Sequence, residues 1–406
     1  MIYWKEVNAM PKTLRRDKTP LYLIGAMVLL WAILHALVGG SFWGPSFYNT
    51  YTRQALAWRQ GLLHLPEDVP YLELAVYEGE YYVSFPPLPS VILLPLTFLF
   101  GMDTPDNLLV KLYALCACLM MYGALKRAGY ERPFAAVFAF LFCFSSSLLP
   151  MTLNGAVWYH AQVLAFFLAV SAICLLTLDR PTLALLCYAL SVACRPFNAL
   201  YALPLFFTYW HINSQAQLPL KDTVKALLPG VGLGLCVAAG LGVYNYVRFG
   251  NILEFGHNWL PEFSFQGGIQ FSLSHVGKHL KTFLWGLPLE NENGVWHFKK
   301  FGYSMLLACP ALLLMLVWAA LDLIRGRMRW EKAVVLLTCA LHLFFLLFHR
   351  TFGGFQLGAR YAVDAVPYAF FYLLLTPEKK KPHWAELVFL FAVLLFTCWG
   401  VSQVHI

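Results

Sequence analysis

Charged side chains are scarce in this sequence. Asp, Glu, Lys and Arg make up 12% of the 406 residues, whereas 60% are hydrophobic; a soluble domain usually carries about a quarter charged residues. The mean hydropathy of +0.62 leaves too few polar side chains to cover a surface that faces water. A soluble globular protein is therefore excluded, and the surplus of apolar side chains must face lipid.

Motifs of soluble nucleotide-binding enzymes are also absent. The sequence contains no Gly-rich phosphate loop, no Rossmann fingerprint and no Gly-x-Ser-x-Gly elbow. The ten cysteines all fall in apolar segments without a Cys-x-x-Cys pair, which indicates small buried side chains rather than metal ligands or disulfides. We therefore expect no cofactor, with a divalent cation at the adjacent Glu67 and Asp68 as the alternative.

The net charge of +8 does not indicate nucleic-acid binding. Basic residues occur in short runs between apolar segments, as at 12–18, 126–132, 325–332 and 378–381, instead of clustering on a polar module. Such runs are typical of the cytoplasmic loops of membrane proteins. The expected partner is therefore membrane lipid, not nucleic acid.

The apolar residues form eleven segments, several of them near the ~20 residues that a helix needs to cross a bilayer. They are 21–41, 87–101, 105–125, 133–150, 156–178, 181–210, 224–247, 303–323, 332–348, 361–376 and 384–402. The sixth is interrupted by Arg195-Pro196, which predicts a break or a kink. The pattern predicts an all-α, polytopic integral membrane protein in which residues 1–406 form one membrane domain.

The positive-inside rule gives these segments an orientation. The basic N-terminus, residues 1–20, is expected in the cytoplasm. If each segment crosses once, residues 42–86 form a first external loop and residues 248–302 form a second one. The two polar excursions, called here the first loop and the second loop, therefore meet the same face of the membrane.

One basic loop disagrees with that simple count. Residues 126–132 carry Lys126, Arg127 and Arg132, yet they would lie outside. A re-entrant segment 87–101, together with a segment 181–210 that dips into the membrane twice, would move this loop inside and leave everything after residue 210 unchanged.

The first loop supplies the candidate catalytic acids. Carboxylates at a membrane boundary can act as general bases, because partial burial raises their pKa. Glu73 is the first choice, since its apolar neighbours predict a poorly solvated setting, and Asp68 is the second. Tyr81 and Tyr82 follow in the same segment and are assigned to substrate binding. The alternative is that these acids only solvate an external loop.

Cationic side chains elsewhere are candidates for binding a lipid phosphate. Arg248 stands at the outer end of the seventh segment, with His257 beyond it. Its guanidinium could bind a lipid phosphate, or it could only extend to the lipid headgroups in general. Arg195 lies within the membrane, where an ionised group is functional by default. Arg360, which follows Gln356, is four residues from Asp364. On a helix these two would pair, or Asp364 would orient Arg360 toward a phosphate.

Three stretches resemble the GT-C superfamily of polyprenyl-phosphate-dependent glycosyltransferases, in its family 39 or protein O-mannosyltransferase-like branch. They run from Glu73 to Pro89 (Glu-Leu-Ala-x-Tyr-x-Gly-x-Tyr-Tyr-Val-x-Phe-Pro-Pro-Leu-Pro), from Arg248 to Gly256, and from Gln356 to Asp364 (Gln-x-Gly-x-Arg-Tyr-x-x-Asp). Arg195-Pro196 resembles an arginine–proline step of the same family. The family usually has Asp in the first loop, whereas residues 42–66 here contain no acid.

The resemblance implies an enzyme with a large first external loop and a donor sugar on undecaprenyl or dolichyl phosphate. Glu73 would take the proton of the acceptor hydroxyl, and arginines would stabilise the departing phosphate without an obligatory metal. The enzyme would lie in the cytoplasmic (plasma) membrane with its active site on the outer face, and its acceptor would be a glycan, a lipid or a protein. The alternatives are a transporter or flippase, or a polymerase or ligase, of lipid-linked saccharides.

Overall fold

A computed structural model describes residues 17–264, 270–376 and 381–404. Most of the predicted cytoplasmic N-terminus, and residues 265–269 of the second loop, lie outside the described residues. The α-helices are α1 Thr19–Val38, α2 Thr50–Arg59, α3 Leu88–Phe100, α4 Asp106–Arg127, α5 Arg132–Phe144, α6 Leu148–Met151, α7 Val157–Thr177, α8 Pro181–Val192, α9 Ala202–Gln215, α10 Leu220–Phe249, α11 Pro261–Ser264, α12 Val276–Trp285, α13 Met305–Ala308, α14 Pro310–Ile324, α15 Trp330–Leu346, α16 Val366–Leu374 and α17 Trp384–Gln403. Short 3-10 helices cover Gly101–Asp103, Pro196–Tyr201, His257–Trp259, Leu273–His275 and Arg360–Ala365, and the strands are β1 Leu74–Tyr77, β2 Glu80–Val83, β3 Leu289–Glu292 and β4 Val295–Phe298.

Each of the eleven apolar segments contains an α-helix, so the predicted all-α class is confirmed. In the described part of the chain, α1, α4, α7, α10 and α17 are long and apolar enough to cross a membrane. Their burial differs: the most apolar window of α7 is 83% buried, but that of α10 is only 11% buried. Helix α7 therefore forms the centre of the bundle, whereas α10 presents most of its apolar surface outward, as a lipid-facing helix does. The chain is an integral membrane protein.

The segment 87–101 begins and ends at the same end of the molecule. Helix α3 follows β2 after a short connection, and the chain that leaves α3 contacts the first loop again. The Ser46 N–H donates to Asp106 Oδ1 at 2.5 Å, and the Asn107 N–H donates to the Gly44 carbonyl at 3.4 Å. A helix of 13 residues spans about 20 Å, less than the ~30 Å hydrocarbon core. These contacts match the re-entrant alternative.

Residues 126–132 lie at the opposite end. Lys126 Nζ is 2.5 Å from the Oδ2 atom of Asp17, which precedes α1. Tyr209 donates to Asp179 at 3.1 Å, so the two ends of the segment 181–210 also lie together, and α8 and α9 run out and back. The contacts therefore agree with a re-entrant segment 87–101 and with a segment 181–210 that dips in twice. Together these paths place the basic loop on the same side as the N-terminus.

Two β-hairpins complete the loop end of the molecule, where the first and second loops lie. β1 pairs antiparallel with β2 in the first loop, and β3 pairs with β4 in the second. The first hairpin turns at Glu78 and Gly79, whose φ angles are 51° and 84°. A two-residue turn with both φ angles positive has the type I′ geometry, and it suits the twist of paired strands. Sequence patterns of continuous apolar runs gave no sign of these short strands.

Candidate functional site

A cavity of about 550 Å³ opens at the loop end. Its walls come from five stretches that are far apart in sequence. They are the first loop up to Pro86, the start of α7, the break between α8 and α9, the second loop, and residues 346–361, called here the third loop with its flanks. A volume of this size suits a small-molecule ligand. Of the residues predicted for the site, Glu73, Arg195, Arg360 and His257 line this cavity.

Glu73 enters the cavity because of strand geometry. Leu72 and Leu74 on either side are 8% and 4% exposed, and side chains alternate in direction along an extended chain. Glu73 therefore points away from that core. Its Oε2 accepts a hydrogen bond of 2.9 Å from the indole N–H of Trp158 at the start of α7. The side chain is exposed, which corrects the expectation that its apolar neighbours would remove it from water.

Arg195 stands at the break between α8 and α9 and pairs with Asp364. Its Nε and Nη2 atoms both lie 2.9 Å from Asp364 Oδ2, and Gln162 of α7 donates to Asp364 Oδ1 at 3.1 Å. The Asp364 side chain is 1% exposed and that of Arg195 is 22% exposed. A buried carboxylate thus fixes the arginine and compensates one positive charge.

Both predicted arrangements, a structural Arg360–Asp364 pair and an Arg360 that Asp364 orients toward a phosphate, are wrong, because Asp364 pairs with Arg195. Residues Arg360–Ala365 form a 3-10 helix, in which residues three apart share a face, so residues four apart do not. Arg360 is held instead by its own loop. Its Nε donates to the Gly353 carbonyl at 2.7 Å, and its backbone N–H donates to Gln356 Oε1 at 2.7 Å.

Arg360 keeps its charge available to the cavity. Among the described residues, its two Nη atoms have no hydrogen-bond acceptor. The ring of Tyr361 lies 4.7 Å from the Arg360 guanidinium carbon and 5.2 Å from that of Arg195. An aromatic face between two guanidinium groups stabilises both by cation–π attraction. Arg195 and Arg360 therefore lie on one wall of the cavity, and the buried Asp364 carboxylate compensates one of their two positive charges.

His257 connects the two loops beside this wall. Its Nδ1 donates to the Ser84 carbonyl at 2.6 Å. Burial lowers the pKa of His257; the Ser84 carbonyl and the negative charge of Glu73 oppose that effect, and the positive charge of Arg195 adds to it. The ring therefore lies within electrostatic range of both the carboxylate and the arginine of the cavity.

Glu262 is a cavity residue that the sequence did not reveal. It belongs to α11 in the second loop, where burial raises its pKa and the charge of Glu73 raises it further, against the lowering effect of Arg350. Glu262 therefore holds a proton more readily than an ordinary glutamate does. An isolated acid in a long polar loop carried no sequence signal that could have singled it out.

Other predicted site residues lie outside the cavity. Arg248 is 3% exposed, donates to the Val83 carbonyl at 2.9 Å and to Asn245 Oδ1 at 3.0 Å, and stacks on Tyr244. It therefore clamps the end of α10 to the first hairpin.

Four further predicted residues support the site from outside or lie apart from it. Tyr82 packs on Phe249, and Tyr81 forms a β-bridge with Leu65. Asp68 is exposed on the first loop. Gln356, which is buried, acts on the cavity only through Arg360.

A metal site is not apparent in the part of the chain that the structure describes. In residues 17–264, 270–376 and 381–404 no three His, Cys, Asp or Glu side chains lie together as possible ligands. The predicted alternative of a divalent cation at Glu67 and Asp68 finds both side chains exposed. Positive charge at the cavity comes from Arg195 and Arg360.

The fold is similar to those of two solved glycosyltransferases. With the oligosaccharyltransferase of Archaeoglobus fulgidus the TM-score is 0.52 at 12% identity, over 97% of this chain and 56% of that one. With ArnT from Cupriavidus metallidurans it is 0.53 at 14% identity, over 93% of this chain and 63% of that one. Both are GT-C enzymes, so the chain has the GT-C fold that its motifs predicted.

The chain spans 56% and 63% of the length of these two structures. No protein-family model and no curated protein sequence matches it.

Proposed function

We propose that the protein is a glycosyltransferase that moves a sugar from a polyprenyl-phosphate donor, of the undecaprenyl or dolichyl type, to an extracytoplasmic acceptor. The observation that carries this proposal is the shared cavity, in which a carboxylate, Glu73, faces the same space as Arg195 and Arg360. The GT-C fold agrees with it. A glycan, lipid or protein acceptor would enter from the loop end, which we assign to the outer face of the plasma membrane.

The orientation rests on charge and contacts. Lys126 pairs with Asp17 at the end opposite the cavity, and basic residues favour the cytoplasmic side. That end would then be inside, together with the N-terminus. The cavity, with the first, second and third loops, would face outward, where lipid-linked sugars and their acceptors meet.

The reaction is a single displacement at the anomeric carbon. The acceptor hydroxyl oxygen forms the new bond to that carbon while its proton passes to Glu73. The bond between the carbon and the phosphate oxygen breaks with both electrons remaining on that oxygen. Negative charge grows on the phosphate, where Arg360 and the partly compensated Arg195 stabilise it. The configuration at the anomeric carbon is inverted.

Each cavity residue has a separate task in this scheme. Trp158 orients the Glu73 carboxylate through its 2.9 Å hydrogen bond. Asp364 and Gln162 hold Arg195, and the Gly353 carbonyl holds Arg360. Arg248 and Asp68 take no part in the chemistry, since neither faces the cavity. No positive feature of the structure favours a transporter or a polymerase over this assignment.

The test measures release of polyprenyl phosphate by the purified full chain in lipid nanodiscs supplied with polyprenyl-phosphate sugars. Glu73→Gln should lower turnover by about 10²–10⁴-fold, the range for loss of a general base. Glu78→Gln is the matched control, because Glu78 is an exposed acid of the same hairpin outside the cavity, and it should retain turnover. Equal activity of Glu73→Gln and the wild type would remove Glu73 from the mechanism. A protein that moves lipid-linked sugar across the bilayer without cleaving it would be a transporter.

A further inference from the structure

Three nitrogen-bearing side chains surround the ring of Tyr361. Besides Arg195 and Arg360, the imidazole of His349 packs edge-on to Tyr361 with 5.7 Å between ring centroids. All three side chains line the cavity. His349 belongs to the third loop, and the mechanism above leaves it without a task.

The imidazole of His349 has a fixed position. It packs against Phe271 with 5.3 Å between centroids, and its Nδ1 is 3.0 Å from the Thr351 carbonyl. The Thr351 backbone N–H also donates to Nδ1 at 3.2 Å, so either ring nitrogen can carry the proton of the neutral ring, whereas the protonated ring donates Nδ1–H to the carbonyl. Its Nε2 lies 3.4 Å from the Gln270 amide nitrogen, a contact too long to fix the proton on either ring nitrogen.

The charges around His349 keep it neutral without a ligand. Burial lowers the pKa of His349 to about 4, and the positive charges of Arg360 and Arg195 add to this effect against the Thr351 carbonyl. The carboxylates that line the same cavity are Glu73, Glu254 and Glu262. Because Asp364 already compensates one of the two arginines, a bound phosphodiester would cancel the remaining positive charge, whereas a monoester with nearly two negative charges would make the field at the ring negative and favour its protonated form.

We propose that His349 is a third phosphate-binding side chain that distinguishes the product from the donor by taking up a proton. This inference rests on the proposed function. The donor is a phosphodiester with one negative charge, whereas the product is a monoester with nearly two. When the bond to the sugar breaks, the His349 ring takes a proton from solvent, and its Nε2–H donates a hydrogen bond to the new phosphate oxygen. Loss of that proton then assists departure of the product.

The experiment counts protons on binding, with isothermal titration calorimetry in buffers of different ionisation enthalpy at pH 7.5. The probes are a short-chain polyprenyl phosphate, which is a monoester, and a dialkyl phosphate, which is a diester. The wild type should take up close to one proton with the monoester and none with the diester. His349→Gln and His349→Asn should lose this uptake while they keep the affinity for the diester, which also shows that they fold.

His297→Gln is the matched control, because His297 is an exposed histidine of the second hairpin, and it should keep the wild-type proton count. Glu262→Gln should keep it as well, which excludes that acid as the proton acceptor. Uptake that persists in both His349 variants, or a wild type that binds the monoester without uptake, overturns this inference. Failure of both probes to bind the wild type would instead overturn the proposed function.

Discussion

The role of Arg360 depends on the fixed geometry of its guanidinium as well as on its charge. Its Nε is occupied by the Gly353 carbonyl, so the planar guanidinium is fixed on the cavity wall while both Nη atoms keep their donors available. A lysine has the same charge but cannot bind the carbonyl and the ligand together in this geometry. Arg195 depends in the same way on Asp364, 169 residues away in the chain.

We predict that Arg360→Lys lowers kcat/KM for the donor by about 10–100-fold. A hydrogen bond to a charged group contributes about 1.5–3 kcal/mol, and 1.4 kcal/mol corresponds to a factor of ten. Steady-state kinetics with the polyprenyl-phosphate sugar measures the change. Arg53→Lys is the matched control, since Arg53 lies in the first loop outside the cavity. A lysine variant with wild-type kinetics would contradict the assignment.

Three histidines with lowered pKa values make the loop end sensitive to acid. Burial is the first cause that lowers the pKa of His257, His279 and His349 below the usual 6.5. Below pH 6.5 the unfolded chain therefore binds protons that the folded chain does not. Stability is fully present above pH 6.5 and declines as the pH falls toward the folded-state values.

Thermal unfolding in nanodiscs between pH 7.5 and 5 checks this prediction. The melting temperature should fall with pH, and the fall should be smaller in His257→Gln than in the wild type. His297→Gln, which replaces an exposed histidine, should follow the wild-type curve. A melting temperature that rises on acidification would show that the carboxylates of the loops, rather than these histidines, control stability.

At the scale of elements, the sequence predicted the helices well and their paths less well. Each apolar segment contains a helix, since continuous hydrophobic runs have few other solutions in lipid. The turn of α3 back to the first loop depends on contacts such as that of Asp106 with Ser46, which no local pattern records. The 3-10 geometry at Arg360–Ala365 was missed for the same reason, and with it the true partner of Asp364.

The re-entrant path of α3 predicts which residues share a side of the membrane. Asp103→Cys and Glu78→Cys, each in a background without other cysteines, should react with a membrane-impermeant maleimide added outside intact cells. Glu131→Cys should react only after the membrane is opened. All three positions are exposed. Labelling of Glu131→Cys from outside, or protection of Asp103→Cys, would mean that 87–101 crosses the membrane.

At the scale of the whole molecule, the GT-C fold joins residues from five separate stretches into one cavity. Sequence reasoning selected Glu73, Arg195, Arg360 and His257 individually, because each is a polar side chain next to an apolar segment. Sequence reasoning could not identify Glu262 or His349 as cavity residues, and it could not exclude Arg248 from the site, because these positions depend on how the three loops pack. Arg248 carries the same charge as the cavity arginines but stabilises the joint between α10 and the first hairpin.

The central claim is that the wall formed by Arg195, Arg360 and Tyr361 binds the donor phosphate opposite a catalytic acid. The most direct test is an experimental structure of the full chain in nanodiscs with bound polyprenyl phosphate. The account predicts phosphate oxygens within hydrogen-bonding distance of the Arg360 Nη atoms and of Arg195, in the cavity that Glu73 lines. A phosphate bound at Arg248, or anywhere outside this cavity, would contradict it.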